Sequence, residues 1–371
     1  VSPETAGVAA WTDTEQQMMA RALQLAQRGL YTTDPNPRVG CVLAQGDKVL
    51  AEGWHERAGG PHAEAMALAA AGELARGSTA YVTLEPCNHH GRTPPCTEAL
   101  LRAGVAQVIY ALRDPNTQVR GGGEQRLLEG GISVCSGLLA DASRELNCGY
   151  VKRLTTGLPW VRIKLAMSLD GRTALASGES RWITAEPARK DAQRYRARSS
   201  AIVTGIGTIL ADDPAMNVRL PDSDRQPLRV VLDSDMRTPP QARVVQRDGV
   251  VWVLAAREQL VRRAALEAQK VQVQVLGNAG PQVPLRAVLQ RLADAQANEV
   301  WVEAGAKLAG AFVSAGLFDE LVVYVAPALL GPDARPLLHL PALHSLEQRQ
   351  QLRYTDVTRV GDDLRLTLQR I

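Results

Sequence analysis

Residues 83–96 read TLEPCNHHGRTPPC, from Thr83 to Cys96. The stretch holds two cysteines, two adjacent histidines and three prolines. It is either a loop with incidental cysteines or part of a metal site. Histidine is scarce in the chain: of six, His55, His62, His89 and His90 fall between residues 55 and 90. Just upstream stands His62-Ala63-Glu64. One imidazole (His62) and two thiolates (Cys87, Cys96) make three zinc ligands, and a fourth tetrahedral position is left for water. That is the arrangement of a catalytic zinc, whereas structural sites are usually closed by four ligands. The metal lowers the pKa of its water toward ~7, which makes hydroxide available at neutral pH. Glu64, two residues beyond His62 at a helix start, is expected beside that water as a general acid/base rather than as a ligand. The loop between the cysteines runs into TEALLRAG, read as a helix whose free N–H groups favour thiolate over thiol.

The pattern H-x-E … P-C-x-x-C marks zinc deaminases. The first part matches at His62, Glu64, Pro86 and Cys87, but the second cysteine is delayed by NHHGRTPP. The extra residues are either damage to the motif or an added substrate-binding loop. The alternative, a closed structural zinc site, needs His89 or His90 as a fourth ligand and has no use for Glu64.

The chain has 371 residues, which at about 150 per domain suggests two domains. With 45% hydrophobic and 22% charged residues it reads as globular. No apolar run approaches the ~20 residues that span a bilayer. The opening VSPETAGVAAW lacks the features of a signal peptide. Residues 1–12 are read as a poorly ordered lead-in, and the cytoplasm is the expected location. A net charge of +3 and 4% aromatic residues argue against a nucleic-acid binder or editing deaminase. Arginine outnumbers lysine, which suits a phosphate-bearing small substrate or reflects genomic composition. Cys41, Cys135 and Cys148 read as small hydrophobes, the first two in buried strands and the third near a helix end.

EQQMMARALQLAQRG reads as a helix, RVGCVLAQ and KVLAEGWH as strands joined at Gly46-Asp47, and HAEAMALAAAGELA as an Ala-rich helix. TAYVTLE, VAQVIYAL and ISVCSG read as strands; TEALLRAG, EQRLLEGG and ADASRELNCGYVKRL read as helices. This alternation implies an α/β sheet with helices on both faces. TTGLPW breaks it, so the expected domains are 12–155 and 156–371. A second αβ succession follows: seven strands from WVRIKLAMS to ELVVYVAPALL, four helices, and a final hairpin turning at Gly361-Asp362.

NPRVGCV, PHAE, TLEPCNHHGRTPPC, RDPN, SLDGRTA, ADDPA and VEAG occur together and in order. With them the chain resembles the bacterial bifunctional riboflavin-biosynthesis deaminase/reductase family from about Thr12 onward. The resemblance implies a cytidine-deaminase-like three-layer α/β/α domain, followed by a dihydrofolate-reductase-like α/β domain that uses NADPH. It implies that the insertion is a substrate loop, that His62, Cys87 and Cys96 hold zinc, and that Glu64 shuttles the proton. It implies hydrolytic deamination of 2,5-diamino-6-(5-phosphoribosylamino)pyrimidin-4-one, then reduction of the ribosyl group to ribityl. Asn36, in DPNPRVG, would hold the substrate; otherwise it is a plain turn residue. His89, His90 and Arg92 would contact the ribose phosphate, or belong to a solvated loop.

The second domain has no G-x-G-x-x-G. GIGTIL alone signals only a turn. EAGAKLAG follows a strand and opens a helix, as at a phosphate site or a close helix–sheet contact. By resemblance, Ala166, Trp182, Thr208, Asp212, Ser234 and the run Gly305, Ala306, Lys307 and Leu308 line the cofactor. Ser180, Arg196, Met216, Arg219 and Glu303 hold the substrate, with Arg196 and Arg219 as clamps on a 5′-phosphate. Lys164 and Asp170 lie near the same strand end. The expected partner is a small phosphoribosyl pyrimidine, with no nucleic acid and no membrane, and the chain is expected to form a homo-oligomer, a dimer or tetramer. Two other readings remain open: a zinc-stabilised scaffold, and a fusion whose second domain only binds.

Overall fold

A computed structural model describes residues 11–89, 94–116, 121–221, 223, 225–277 and 280–371. Most of the expected lead-in, residues 1–10, lies outside them. The chain divides into two units, Val1–Thr156 and Gly157–Ile371.

In the first unit, Thr12 caps α1 (Asp13–Gln27). Its hydroxyl accepts from the Glu15 N–H while Glu15 accepts from the Thr12 N–H, a reciprocal capping box. β1 (Gly40–Gln45) and β2 (Lys48–Trp54) form the expected hairpin. Then come α2 (Ala63–Ala71), β3 (Thr79–Leu84), α3 (Cys96–Ala103), β4 (Gln107–Leu112), α4 (Gly122–Glu129), β5 (Ser133–Ser136), α5 (Ala140–Leu146) and α6 (Cys148–Thr156). The sheet runs β2-β1-β3-β4-β5, with β1 antiparallel to both neighbours and β3, β4 and β5 parallel. Strand alternation sends Cys41, Leu43, Val82 and Val108 into one core with Ala67 of α2, Leu100 of α3 and Leu127 of α4. Val42, Tyr81 and Ile109 face Met19 and Leu25 of α1 on the other side. The result is three layers.

Local details differ from expectation. The Ala-rich helix stops at Ala71, because Gly72 takes φ 55° and leads into a short 3-10 turn. ADASRELNCGYVKRL is two helices, not one. At the break, the Asn147 carboxamide brackets the Arg38 backbone, accepting its N–H at 2.8 Å and donating to its carbonyl at 3.0 Å. Cys41 is buried in β1, but Cys135 is only half-buried on the edge strand β5.

The second unit comprises β6 (Trp160–Ser168), β7 (Arg172–Ala174), α7 (Glu186–Arg198), β8 (Ala201–Gly205), α8 (Ile206–Asp212), β9 (Leu228–Leu232), α9 (Arg243–Gln246), β10 (Val251–Ala255), α10 (Leu260–Glu267) and β11 (Gln272–Val275). It continues with α11 (Leu285–Asp294), β12 (Glu299–Glu303), α12 (Ala306–Ser314), β13 (Glu320–Ala326), β14 (Arg335–Pro336), β15 (Leu352–Val360) and β16 (Asp363–Arg370). Nine strands form one sheet in the order β11-β10-β9-β8-β12-β6-β13-β16-β15. The seven from β11 to β13 are parallel, and the terminal hairpin adds two antiparallel strands. Sequence reading missed α8, whose seven residues bury only Ile209, so no helical stripe is visible.

Connections leaving β8 step outward to β9, β10 and β11, whereas the connection leaving β12 steps the other way to β13. Right-handed crossovers in opposite directions lie on opposite faces. Accordingly, Ala192 of α7 and Ile209 of α8 pack with Ile202 and Trp301, while Leu289 of α11 and Phe312 of α12 pack with Val203 and Val302. The β8/β12 boundary is therefore a topological switch point, where a crevice opens beyond the strand ends.

Buried charges pin this sheet. Arg162 on β6 pairs with Glu299 on β12 and, at 2.7 Å, with Glu320 on β13. A one-residue slip would turn these charges to the other face. Arg229 on β9 is 1% exposed and donates to the carbonyls of Val244, Arg247, Asp248 and Gly249. Arg229→Met leaves four acceptors without their donor. The expected loss is about 3 kcal/mol or more in urea unfolding, and a loss below about 1 kcal/mol would contradict this role.

Candidate functional site

In the first unit, His62 is the N-cap of α2. Its backbone is extended (φ −76°, ψ 162°) and its side chain makes no capping hydrogen bond, so the ring is free to turn inward. The helix lies hard against β2: a Cβ on Gly53 would sit 2.4 Å from the Ala63 carbonyl oxygen and 2.5 Å from the Ala67 nitrogen. Glycine at this strand position sets how closely the first turn, with His62 and Glu64, approaches the sheet.

Cys87 leaves β3 and Cys96 opens α3. The Cys96 N–H points at the Cys87 sulfur (3.5 Å), and the Thr97 N–H donates to the Cys87 carbonyl at 3.2 Å. Two free donors of a helix start are thus spent on one ligand residue. His62 Nδ1 lies 3.3 Å from Cys96 Sγ and 3.5 Å from Cys87 Sγ. All three ligand atoms lie within 4.8 Å of one another. Around a tetrahedral zinc, bonds of about 2.0 Å to nitrogen and 2.3 Å to sulfur separate those atoms by about 3.5 Å. The donor set fits this ion. Hydrogen bonding from Cys96 brings Cys87 down to about 4, and the same contact pushes Cys96 up. The hydrogen bond to Cys87 raises His62.

Glu64 is 3% exposed, and burial raises its carboxyl above the ordinary range, with the Cys87 charge adding to the shift. It sits among the ligand sulfurs without joining the ligand set. Asn36 donates from Nδ2 to His55 Nε2 at 3.0 Å, because His55 Nδ1–H is committed to the Pro61 carbonyl at 2.9 Å. The His55 ring stands edge-on to His62, with centroids 5.6 Å apart. His89 is exposed; His90 and Arg92 lie outside the described residues.

Sequence reasoning gave no role to Glu85, Asp114 or Gly123. Glu85 accepts from the Asp114 and Glu124 N–H groups at 3.2 and 3.4 Å. A Cβ on Gly123 would fall 1.9 Å from the Pro86 carbonyl oxygen. Together they lash the α4 start to the residue before Cys87. The position of Glu85, two residues before a ligand, is the one signal that the sequence offers. A separate cleft of about 350 Å³ beside Asp114, lined by Arg113, Ser136, Arg144 and Thr155 among others, contains none of the metal ligands.

In the second unit, period-two alternation puts Lys164 and Ala166 of β6 and Glu303 of β12 on the α7 face, with Lys164 directly beside Glu303. Arg196 on α7 closes its fork on Glu303, with both contacts at 2.6 Å, and gives its third donor to the Asn217 carbonyl. It therefore holds a carboxylate of this chain, and one N–H on each terminal nitrogen is left over for a substrate group. Trp301 Nε1 donates to the same carboxylate at 2.7 Å. Burial alone would raise Glu303; Arg196, Lys164 and Trp301 bring it down to about 2. Arg219 is exposed, and its guanidinium has no described partner.

Gly205 and Gly305 cap α8 and α12 on either side of the switch point. Gly305 has an ordinary φ of −70°, yet a Cβ there or on Gly207 would meet nothing within 4 Å. The glycines keep open the space facing the helix starts, as a dinucleotide phosphate requires. Thr208 lies on α8, and Ala306, exposed Lys307 and Leu308 form the first turn of α12. Leu308 packs against Gly205. Asp212 holds Arg181 through its carbonyl at 2.5 Å, and Met216 is buried with φ 52°. Ser180 and Trp182 lie between β7 and α7; Trp182 is 68% exposed, with Arg189 over its ring. Ser234 follows β9. The Asp170 carboxylate takes the Leu330 and Gly331 N–H groups and ties two loops together.

A catalytic-type zinc triad with a buried carboxylate suits a hydrolytic deaminase in the first unit, and the glycine-lined switch point leaves room for a dinucleotide phosphate in the second. Residues 12–112 match the cytidine and deoxycytidylate deaminase zinc-binding region, and residues 159–366 match the RibD C-terminal domain. Riboflavin biosynthesis protein RibD of Escherichia coli K12 is 49% identical over 366 residues, covering 95% of this chain and 99% of that protein. A crystal form of Acinetobacter baumannii RibD superposes with TM-score 0.90 at 44% identity, covering 96% and 99% of the two chains. A Thermotoga maritima diaminohydroxyphosphoribosylaminopyrimidine deaminase/5-amino-6-(5-phosphoribosylamino)uracil reductase gives 0.85 at 30% identity, again covering 96% and 99%. The chain belongs to the RibD family of bifunctional riboflavin-biosynthesis enzymes.

The Arg196–Glu303 pair has a defined pH signature. A carboxyl held near 2 contributes stability above its unfolded value of ~4.3, and that stability is lost as pH falls toward 2. Arg196→Met should cost about 3 kcal/mol at pH 7 in calorimetric unfolding, with the deficit shrinking between about pH 4 and pH 2. A deficit independent of pH would contradict the pairing.

Proposed function

We propose that the first unit removes an exocyclic amine from the diaminopyrimidine ribotide named for the Thermotoga relative, and that the second reduces the ribosyl group of the product to ribityl. The zinc triad with Glu64 beside it carries this reading.

His62, Cys87 and Cys96 would hold zinc, which when bound supplies an acidified water at its fourth position. Glu64 takes the proton from the attacking water and returns it to the departing nitrogen, so that one group serves both transfers. Its burial suits this exchange, since a carboxyl raised above its usual range gives up and regains a proton more readily near neutrality. Asn36, its amide fixed by His55, presents its remaining donor and acceptor to the pyrimidine or ribose. His89 and Arg92 stay assigned to the ribose phosphate.

In the second unit NADPH would supply the hydride, lying along Ala166, Trp182, Thr208, Asp212, Ser234 and Gly305 to Leu308. Glu303, kept ionised by Arg196, accepts from sugar hydroxyls, and Lys164 beside it donates to them. Ser180, Met216 and Arg219 complete the pocket, with the Arg219 guanidinium left for the 5′-phosphate.

No helix among the described residues is long and apolar enough to cross a membrane. Homo-oligomerisation, as a dimer or tetramer, is supported by the long edge strand β15, which exposes Tyr354 and Val357.

Glu64→Ala should abolish ammonia release from the diamino ribotide yet leave NADPH oxidation intact when the deaminated ribotide is supplied. Loss of both activities in a folded protein would contradict two independent sites. Metal analysis should find about one zinc per chain, falling severalfold in Cys87→Ser.

A further inference from the structure

Residues 214–219, PAMNVR, cross from α8 toward β9 without joining a helix or a strand. Such a stretch cannot satisfy its own N–H and carbonyl groups, so they need partners elsewhere. Among the described residues none of these groups meets another backbone group. Side chains take that place, one residue after another. The Asn217 carbonyl accepts from Arg196 at 2.9 Å. The Gln226 carboxamide brackets Val218, accepting its N–H at 2.9 Å and donating to its carbonyl at 3.1 Å. The Arg219 N–H donates to the Gln193 side-chain oxygen at 3.0 Å.

Gln193 is 6% exposed, an uncommon burial for a helical carboxamide. It stands three residues before Arg196 on α7, on the same face. One helix face therefore holds two things at once. Arg196 fixes the Glu303 carboxylate, and Gln193 fixes the backbone of Arg219. Part burial and the Arg196 charge lower the Arg219 guanidinium from its ordinary value, against the pull of Glu303, so it lies within electrostatic reach of that pair. A mobile side chain on a mobile loop clamps a phosphate poorly, because binding must order both. Here folding has already ordered the backbone.

We propose that Gln193, supported by Gln226, is a positioning residue of the reductase: it sets the span between Glu303 at the sugar and Arg219 at the 5′-phosphate, and so selects phosphorylated ribosyl substrates. The proposal rests on the reading of Arg219 as the phosphate ligand and deepens it. Neither glutamine touches the substrate; both act through the backbone of residues 218 and 219.

The test compares the deaminated ribotide with its dephosphorylated riboside on the full-length protein. NADPH oxidation gives kcat and KM for the ribotide, and competition gives the affinity for the riboside. The variants are Gln193→Leu, Gln226→Leu, Arg219→Gln and the double variant Gln193→Leu/Arg219→Gln, with circular dichroism to check the fold. Gln193→Leu should raise the ribotide KM about three- to tenfold, with kcat and riboside affinity changed by less than about twofold. Gln226→Leu, at an exposed residue, should do the same and takes over if Gln193→Leu does not fold. The double variant should be no worse than Arg219→Gln alone, because both changes remove one interaction. Equal weakening of ribotide and riboside, effects that multiply in the double variant, or an unchanged KM in Gln193→Leu where Arg219→Gln raises it, each overturn the positioning role. If Arg219→Gln itself leaves the ribotide KM unchanged, the phosphate reading fails and takes this proposal with it.

Discussion

Three atoms from three places in the chain must come within bonding distance of one ion: an imidazole nitrogen at a helix cap and two sulfurs from either side of a loop. Everything else in the first unit serves that convergence. Neither thiol is a good ligand while protonated, and each sulfur disturbs the other's proton. The helix start of α3 gives N–H groups to Cys87, and His62 turns its ring into the same space. Among the described residues, the second unit carries no comparable cluster.

Close approach of backbones makes the convergence possible. Gly53 lets α2 lie on β2, and Gly123 lets the start of α4 touch Pro86. Glu85 secures the same junction from below with two backbone hydrogen bonds. None of these residues is assigned to the substrate, yet they govern where Cys87 and His62 stand. A ligand displaced by about 1 Å is a ligand lost, because metal–ligand bonds tolerate only about 0.2 Å.

The second unit solves a different problem, holding a carboxylate ionised inside protein. Glu303 is enclosed by Arg196, Lys164 and the Trp301 indole, and Trp301 is in turn stacked on Tyr195. Without the Arg196 fork, Glu303 would keep only Lys164 and the Trp301 N–H, a costlier arrangement for a buried carboxylate. Arg196 reads as a phosphate ligand from sequence because guanidinium chemistry suits phosphate and carboxylate equally. Which anion it meets depends on α7 lying across the end of β12. Asp170 likewise meets partners that sequence does not name, the backbone amides of Leu330 and Gly331.

Residue type and spacing were enough to pick out the cluster of His62, Cys87 and Cys96, the strand-helix alternation and the hairpins, because ligand chemistry, periodicity and turn preference are properties of the local chain. They were also enough for the family, since its motifs recur in order. Sequence left undecided which strands are neighbours, and so where the switch point falls and which side of it each glycine guards. It did not show that Asn147 breaks a helix to serve Arg38, or that Glu85 binds two distant amides. Those facts join residues far apart in the chain, and only the packed sheet, with its fixed register and its closed hydrogen bonds, brings them together.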